Sequence, residues 1–346
     1  MYLKLIDFAR YTSLKIGSIL PVWVLEKNDE KYFYALESSK VWDRLNDCKF
    51  THDFMQGAEC RINLLDLATN LAQETKKTQT KKTSQKPYTC IGNGYNLLIS
   101  PNAKNLVLLS SEFDYIAKSN DSKNTIEVGA KTSSSSLFRF CKEHNLGGLE
   151  FLSALPGSVG GLVKMNAGMK QYEIKDTLIE VCINGEWRRD FALEYRTSDI
   201  DGIISAARFS LKNSFDSALL AQFKEMRKSH PKEPSCGSCF KNPSGDYAGR
   251  LIEAVGLKGV VKNGIGFSDI HANFLVNLST KSCKIDDTKN AFLEDDFAKK
   301  NHNKTSDFAK PNHARFEDAM EMIERAKRLV KRQFDITLTP EVQIIE

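Results

Sequence analysis

Two glycine-rich stretches and a few polar residues hold the chemistry this chain could perform. The longer stretch reads Leu149-Glu150-Phe151-Leu152-Ser153-Ala154-Leu155-Pro156-Gly157-Ser158-Val159-Gly160-Gly161 and runs on to Lys164-Met165-Asn166-Ala167-Gly168. As a small-residue loop it lets backbone N–H groups approach a diphosphate, because a Cβ at the glycines blocks access or forbids positive φ. The shorter stretch, Gly92-Asn93-Gly94-Tyr95-Asn96-Leu97-Leu98, follows a strand-like run at 88–91. Alone it is more often a plain turn. Together the two suggest a large dinucleotide ligand rather than a single phosphate. Neither matches G-x-G-x-x-G or the P-loop with its closing Gly-Lys-Ser/Thr. Cys236-x-x-Cys239 is half of a zinc site at most, since no second C-x-x-C or H-x₃₋₅-H accompanies it, so no metal is expected.

Composition narrows the class. The 346 residues are enough for two or three domains, and 41% hydrophobic with 27% charged is an ordinary globular profile. A net charge of +5 favours anionic ligands slightly and does not mark a nucleic-acid binder. No apolar run is long enough to span a membrane. Lys4, Asp7 and Arg10 break any signal-peptide core, so a cytoplasmic protein with reduced cysteines is expected.

The elements that must position these residues alternate short strands with single helices, an α+β pattern. A turn at Gly17-Ser18 precedes a strand at 21–25, and residues 61–72 have the apolar spacing of an amphipathic helix. Strands are expected at 106–109, 125–128, 178–183, 205–211, 274–278 and 336–345, and helices at 135–145, 217–228, 248–255 and 316–334. Two polar segments, about 75–86 and about 286–311, cannot bury apolar surface and are expected as surface insertions.

Several motifs occur in an order that resembles the UDP-N-acetylenolpyruvoylglucosamine reductase (MurB) family of peptidoglycan synthesis. They are Thr12-Ser13-Leu14-Lys15-Ile16-Gly17, the 92–98 and 149–168 stretches, Tyr195-Arg196, Gly237-Ser238-Cys239-Phe240-Lys241-Asn242-Pro243, His271-Ala272-Asn273-Phe274 and Pro340-Glu341-Val342. The resemblance covers about 7–345 apart from the polar insertions. It implies an α+β, two-subdomain FAD-binding fold of the vanillyl-alcohol-oxidase (PCMH) kind plus a C-terminal α/β substrate domain. The implied divisions are 1–100 and 101–212 for the two FAD subdomains, 213–335 for the substrate domain, and 336–346 as a strand returning Glu341 to the active site. The segment between Arg196 and Ser238 is too short for the long substrate loop of some members, which points to the shorter type II form. Tyr95 stands where the family usually has Ser, so a hydroxyl contact to phosphate is lost or made from a different distance.

The resemblance also assigns roles. FAD is held by Lys15, Gly17, Gly92, Asn93, Gly94, Tyr95, Asn96, Leu97, Gly129, Pro156, Gly157, Ser158, Val159, Gly160, Gly161, Asn166 and Gly168. NADPH supplies hydride through FAD to the enolpyruvyl methylene carbon of a UDP-sugar, and an enolate develops beside the carboxylate. Flavin is required because no side chain transfers hydride. Arg196 is the electrophile: a guanidinium pairs with a carboxylate and stays charged. From the residues alone it reads as an ion pair with Asp199 or Asp201. Ser238 is the proton donor, with the adjacent Cys239 as rival thiol acid; successive extended side chains point opposite ways, so one of them faces the flavin. Glu341 polarises or protonates the enolic carboxylate, with Arg196 as a possible partner. Tyr195, Lys241, Asn242, His271 and Asn273 line the substrate pocket. A monomer is expected. The competing readings are another FAD oxidase or dehydrogenase of the same fold, and a degenerate flavin-binding protein.

Overall fold

The computed structural model describes residues 1–47, 60–75, 87–118, 124–279 and 314–346. The polar segment at 286–311 lies outside the described residues, as does the one at 75–86 beyond Thr75.

The described chain forms two compact units. The first comprises Met1–Asp7, Ile19–Gly94 and Asn102–Lys228. One of its sheets places Tyr2–Asp7 antiparallel to Ile19–Leu25, which runs parallel to Leu106–Leu109, itself parallel to Thr89–Cys90. All four residues of Leu106–Leu109 are buried, as an interior strand with apolar neighbours requires. The other sheet is antiparallel throughout, in the order Glu186–Arg188, Leu178–Ile183, Ile204–Ser210, Thr125–Gly129, Ile116–Lys118. The helix Ser134–Glu143 begins where the Ser133 hydroxyl accepts from Ser136 N and buries Leu137 and Cys141 at i, i+4 spacing. Asp216 caps Ser217–Arg227 by accepting from Ala218 N and Leu219 N.

The second unit comprises Phe8–Ser18, Tyr95–Pro101 and Ser229–Glu346. Its sheet runs Ser235–Ser238, Phe274–Asn277, Ile265–Phe267, Val261–Lys262, all antiparallel. A separate parallel pair joins Leu97–Ile99 to Gln343–Ile345. The helix Phe316–Phe334 buries Ala319, Met322, Ile323, Ala326 and Val330 on one face. Burying each large side chain of this kind contributes about 2 kcal/mol. Glu317 and Asp318 sit in its first turn and Lys331 and Arg332 in its last, matching the helix dipole. Asp335, at φ 56°, ends it in the left-handed region.

The structure departs from the sequence expectations in three places. The chain end is not one strand over 336–345: the ladder is confined to Gln343–Ile345, with a single bridge from Pro340 to Phe240, because a proline offers no N–H. The 149–168 stretch is not a continuous loop. It holds a short 3₁₀ turn, Glu150–Ser153, and a helix, Val159–Lys164, that buries Val159, Leu162 and Val163 at i, i+3, i+4. The amphipathic helix lies at Leu64–Thr75 rather than 61–72.

Candidate active site

Within the first unit, Gly92 of the shorter glycine stretch lies against Ser158 of the longer one. A Cβ on Gly92 would stand 2.5 Å from the Ser158 hydroxyl oxygen, so a side chain here would have to displace that hydroxyl. Gly157 has φ +147°, a conformation L side chains rarely adopt, and passes the chain through Ser158 into the helix Val159–Lys164. Two of the amides expected at a diphosphate are used inside the unit: Val159 N donates to Thr132 O and Gly160 N to Ala130 O, both at 2.9 Å. Gly160 is instead a packing glycine, its absent Cβ lying 3.0 Å from the Ala130 Cβ. Gly161 is exposed, and a Cβ there would meet only the Ser158 hydroxyl at 3.5 Å. Gly129 is tight for a similar reason, with Phe113 O 2.1 Å from its absent Cβ. Pro156 is exposed, Asn93 half-buried and Gly94 buried. Gly161, exposed and with no backbone near the place of a Cβ, leaves main chain open to close approach, which fits an FAD phosphate group.

Of the candidate cofactor residues, the second unit holds Lys15, Gly17, Tyr95, Asn96 and Leu97. Gly17, at φ +145°, would place a Cβ 2.5 Å from Phe8 Cβ. Lys15 sits at φ 58° and its carbonyl accepts from Asn277 Nδ2 at 3.3 Å. Asn96, at φ 57°, donates from Nδ2 to Glu341 O at 3.0 Å, and its own carbonyl accepts from Gln343 N. Leu97 is buried and opposite Gln343 in register, whereas Tyr95 is 45% exposed.

Arg196 occupies the second position of a two-residue turn between Leu193–Glu194 and Thr197–Ser198, at φ 56°. Arg196 Nη2 donates to Gly168 O at 2.7 Å and Nη1 to Glu173 Oε1 at 3.4 Å. The half-exposed Tyr195 ring lies 4.8 Å from the guanidinium carbon. Asn166, read as a cofactor residue, is fully buried: its Nδ2 donates to Glu173 Oε2 and Glu194 O, and its Oδ1 accepts from Lys175 N. Gly168 lies with it beneath Arg196. Glu173 stands beside Arg196 without having been singled out from the sequence; a lone carboxylate in Gln171-Tyr172-Glu173-Ile174 carries no spacing signal.

Ser238 closes the strand Ser235–Ser238. Register shifts between Ser235 and Ser238, where Gly237 takes φ 82°, so the strand carries a bulge that re-aims the side chains after it. Cys239 is fully buried in the second unit's core and Ser238 is half-buried. Burial pushes the Cys239 thiol well up, with Cys236 and Glu341 adding to the shift. The segment holding Glu341 is laced to the same strand end: Glu341 N donates to Cys239 O at 2.8 Å, and Lys241 N to Thr339 O at 2.9 Å. The structure thus brings Ser238, Lys241, Glu341 and Asn96 together in one unit. Asn273 is buried, and its side chain accepts from Phe240 N at 3.0 Å and donates to Phe240 O at 2.8 Å, which makes it a clamp on the Ser238 strand. Asn242 Oδ1 accepts from Ala248 N at the start of the helix Ala248–Ala254. His271 is held below its ordinary value by burial and is neutral, its Nδ1 accepting from Asn273 N at 3.3 Å. Among the described residues no cluster of His, Cys, Asp or Glu is arranged to hold a metal ion, and no helix is long and apolar enough to cross a membrane.

Comparison with known proteins decides what this geometry belongs to. A family profile described as the C-terminal domain of UDP-N-acetylenolpyruvoylglucosamine reductase matches residues 229–288, and one described as an FAD binding domain matches 75–186. A Helicobacter hepaticus protein named UDP-N-acetylenolpyruvoylglucosamine reductase is 46% identical over 258 residues, 74% of this chain and 84% of that one. This chain belongs to the UDP-N-acetylenolpyruvoylglucosamine reductase family. A reductase of the same name from Helicobacter pylori J99 is 37% identical over 342 residues, 98% of each chain. The crystal structure of the reductase (MurB) from Thermus caldophilus aligns over 100% of both chains with a TM-score of 0.65 at 25% identity. The reductase-family profile begins at 229, the residue at which the long segment of the second unit also begins.

Proposed function

We infer that this chain reduces the enolpyruvyl ether of a UDP-N-acetylglucosamine substrate to UDP-N-acetylmuramate, with NADPH as the hydride donor, in peptidoglycan precursor synthesis. The observation that carries this reading is the family match extending over 98% of the chain. FAD, when bound, supplies the hydride chemistry that no side chain can. Gly92, Gly157 and Gly161 in the first unit are the residues we assign to its diphosphate.

The protein's own residues then do three things. Arg196 meets the substrate carboxylate with paired N–H donors and favours the charge that develops there. The Ser238 hydroxyl gives its proton to the substrate carbon next to that carboxylate, acting as general acid. Glu341, held at the same strand end as Ser238, adjusts the charge on the enolic carboxylate. Cys239 takes no part, because its thiol is enclosed in the core. Tyr195, Lys241 and His271 border the substrate, while Asn273 fixes the backbone at Phe240, next to Lys241, and Asn242 that at Ala248. We place the chain in the cytoplasm, where NADPH and UDP-sugars are found, as a monomer; sedimentation of the purified protein measures the second point.

Anaerobic mixing with NADPH tests the function. Bleaching of the yellow flavin, restored by the enolpyruvyl UDP-sugar with formation of UDP-N-acetylmuramate, is the expected result. Bleaching that only oxygen restores would favour an oxidase.

A further inference from the structure

We propose that Glu173 is a positioning residue for Arg196, and that Asn166 and Gly168 form a brace with it. The proposal deepens the reading that Arg196 meets the substrate carboxylate and rests on it.

Arg196 carries a long side chain with roughly 2 kcal/mol of rotamer entropy, so an isolated guanidinium would not hold one plane. Here both terminal nitrogens are anchored, Nη2 on Gly168 O at 2.7 Å and Nη1 on Glu173 Oε1 at 3.4 Å. The Glu173 carboxylate is itself fixed without help from Arg196. Its Oε2 accepts from Asn166 Nδ2 at 3.1 Å and pairs with Lys175 Nζ at 2.7 Å. Oε1 is thereby turned towards Arg196. Asn166 also donates to Glu194 O at 2.9 Å, two residues before Arg196, so one amide ties the carboxylate to the hairpin it serves. Close approach is built in at Gly168, where a Cβ would lie 2.8 Å from Glu173 Cγ and 2.3 Å from Tyr172 O.

Two features separate this arrangement from an ordinary surface ion pair. Arg196 and Glu173 side chains are only 14% and 12% exposed, and a buried carboxylate needs several partners. Lys175 is also nearer to Glu173 than Arg196 is, so Lys175 supplies the closer balancing charge. Arg196 is oriented by Glu173 while its charge remains directed to an arriving carboxylate.

The test uses the FAD-loaded enzyme as Glu173→Ala, Glu173→Asp, Arg196→Lys and the double variant Glu173→Ala/Arg196→Lys. Three quantities are read: flavin bleaching by NADPH, its recovery with the enolpyruvyl substrate, and substrate Kd by calorimetry without NADPH, when no turnover occurs. Glu173→Ala should bleach within about twofold of wild type, yet recover and bind on the order of tenfold more weakly, the scale of a misplaced group. Glu173→Asp retracts the carboxylate by one methylene with charge kept, and should show the same split to a smaller degree. In the Arg196→Lys background, Glu173→Ala should add less than about twofold, since residues acting through one another are not additive. Wild-type recovery and Kd in Glu173→Asp or Glu173→Ala would overturn the proposal, as would full multiplication of the two losses in the double variant. If Arg196→Lys itself recovers and binds as wild type, the reading of Arg196 fails instead, which separates the two failures.

Discussion

Arg196 and Ser238 are both given to the same reaction, but their surroundings are built in opposite ways. Arg196 stands on a two-residue turn at positive φ, and its direction comes from side-chain and carbonyl anchors contributed by residues 166–175. Ser238 ends a strand, and its direction comes from the way its backbone is fixed: the bulge at Gly237, the Asn273 side-chain clamp on the Phe240 backbone, and the Pro340–Val342 segment laced to Cys239 O. A charged group that must stay aimed needs a polar network around it. A small hydroxyl with few rotamers needs only its strand fixed. Substitutions should therefore spread through the neighbourhood of Arg196 and remain local at Ser238.

The largest effect should be at Ser238. Ser238→Ala removes one oxygen, so folding and FAD content should survive while steady-state turnover falls on the order of 10²-fold or more. Retained turnover would end its role as proton donor. Next in size is Arg196→Lys, which keeps charge and loses the paired donor geometry. Turnover should fall on the order of tenfold or more, with the loss in the substrate step and NADPH-driven flavin bleaching intact.

A smaller effect separates two neighbouring glycines. Gly160→Val presses on Ala130 and should lower the melting temperature of the apoprotein. Gly161→Val projects from the exposed side of the helix and should lower FAD content with little change in apoprotein melting. Equal FAD content in Gly161→Val and wild type would remove Gly161 from the cradle.

Smaller still is a pH effect on stability. Burial holds the folded His271 pKa below its ordinary value, so the unfolded chain takes up the proton first as pH falls. The stability contributed by neutral His271 is present above the unfolded value of about 6.5 and is lost as pH drops through the lower folded value. Melting temperature should fall more between pH 7 and 5 in wild type than in His271→Gln. Deleting 76–86, a segment without apolar periodicity, should change turnover and melting least of all.

Much of the frame was legible because apolar spacing records burial. The helix Phe316–Phe334 and the strands Leu106–Leu109 and Leu178–Ile183 fall where the pattern places them. The helix Val159–Lys164 was also written in the sequence, as Val159, Leu162 and Val163, but glycine content drew the reading towards a loop. Motif order singled out Ser238 and Glu341 as candidates, and the fold sets them at one strand end. What remained hidden depends on residues brought together by folding. Arg196 meets Glu173, 23 positions earlier, a contact that no local spacing announces. Asn166 and Asn273 looked like ligands for a small molecule, and the structure shows their amides committed to protein groups, since an asparagine at a binding site and one at a backbone clamp are the same letter.

The central claim is that Ser238, and not its neighbour Cys239, hands the proton to the substrate. Stopped-flow absorbance follows flavin bleaching by NADPH and recovery by the enolpyruvyl substrate as separate events in wild type, Ser238→Ala and Cys239→Ala. Ser238→Ala should bleach normally and recover on the order of 10²-fold more slowly, while Cys239→Ala recovers near the wild-type rate despite a loss of core packing. Normal recovery in Ser238→Ala together with slow recovery in Cys239→Ala would place the proton on the thiol and contradict the assignment.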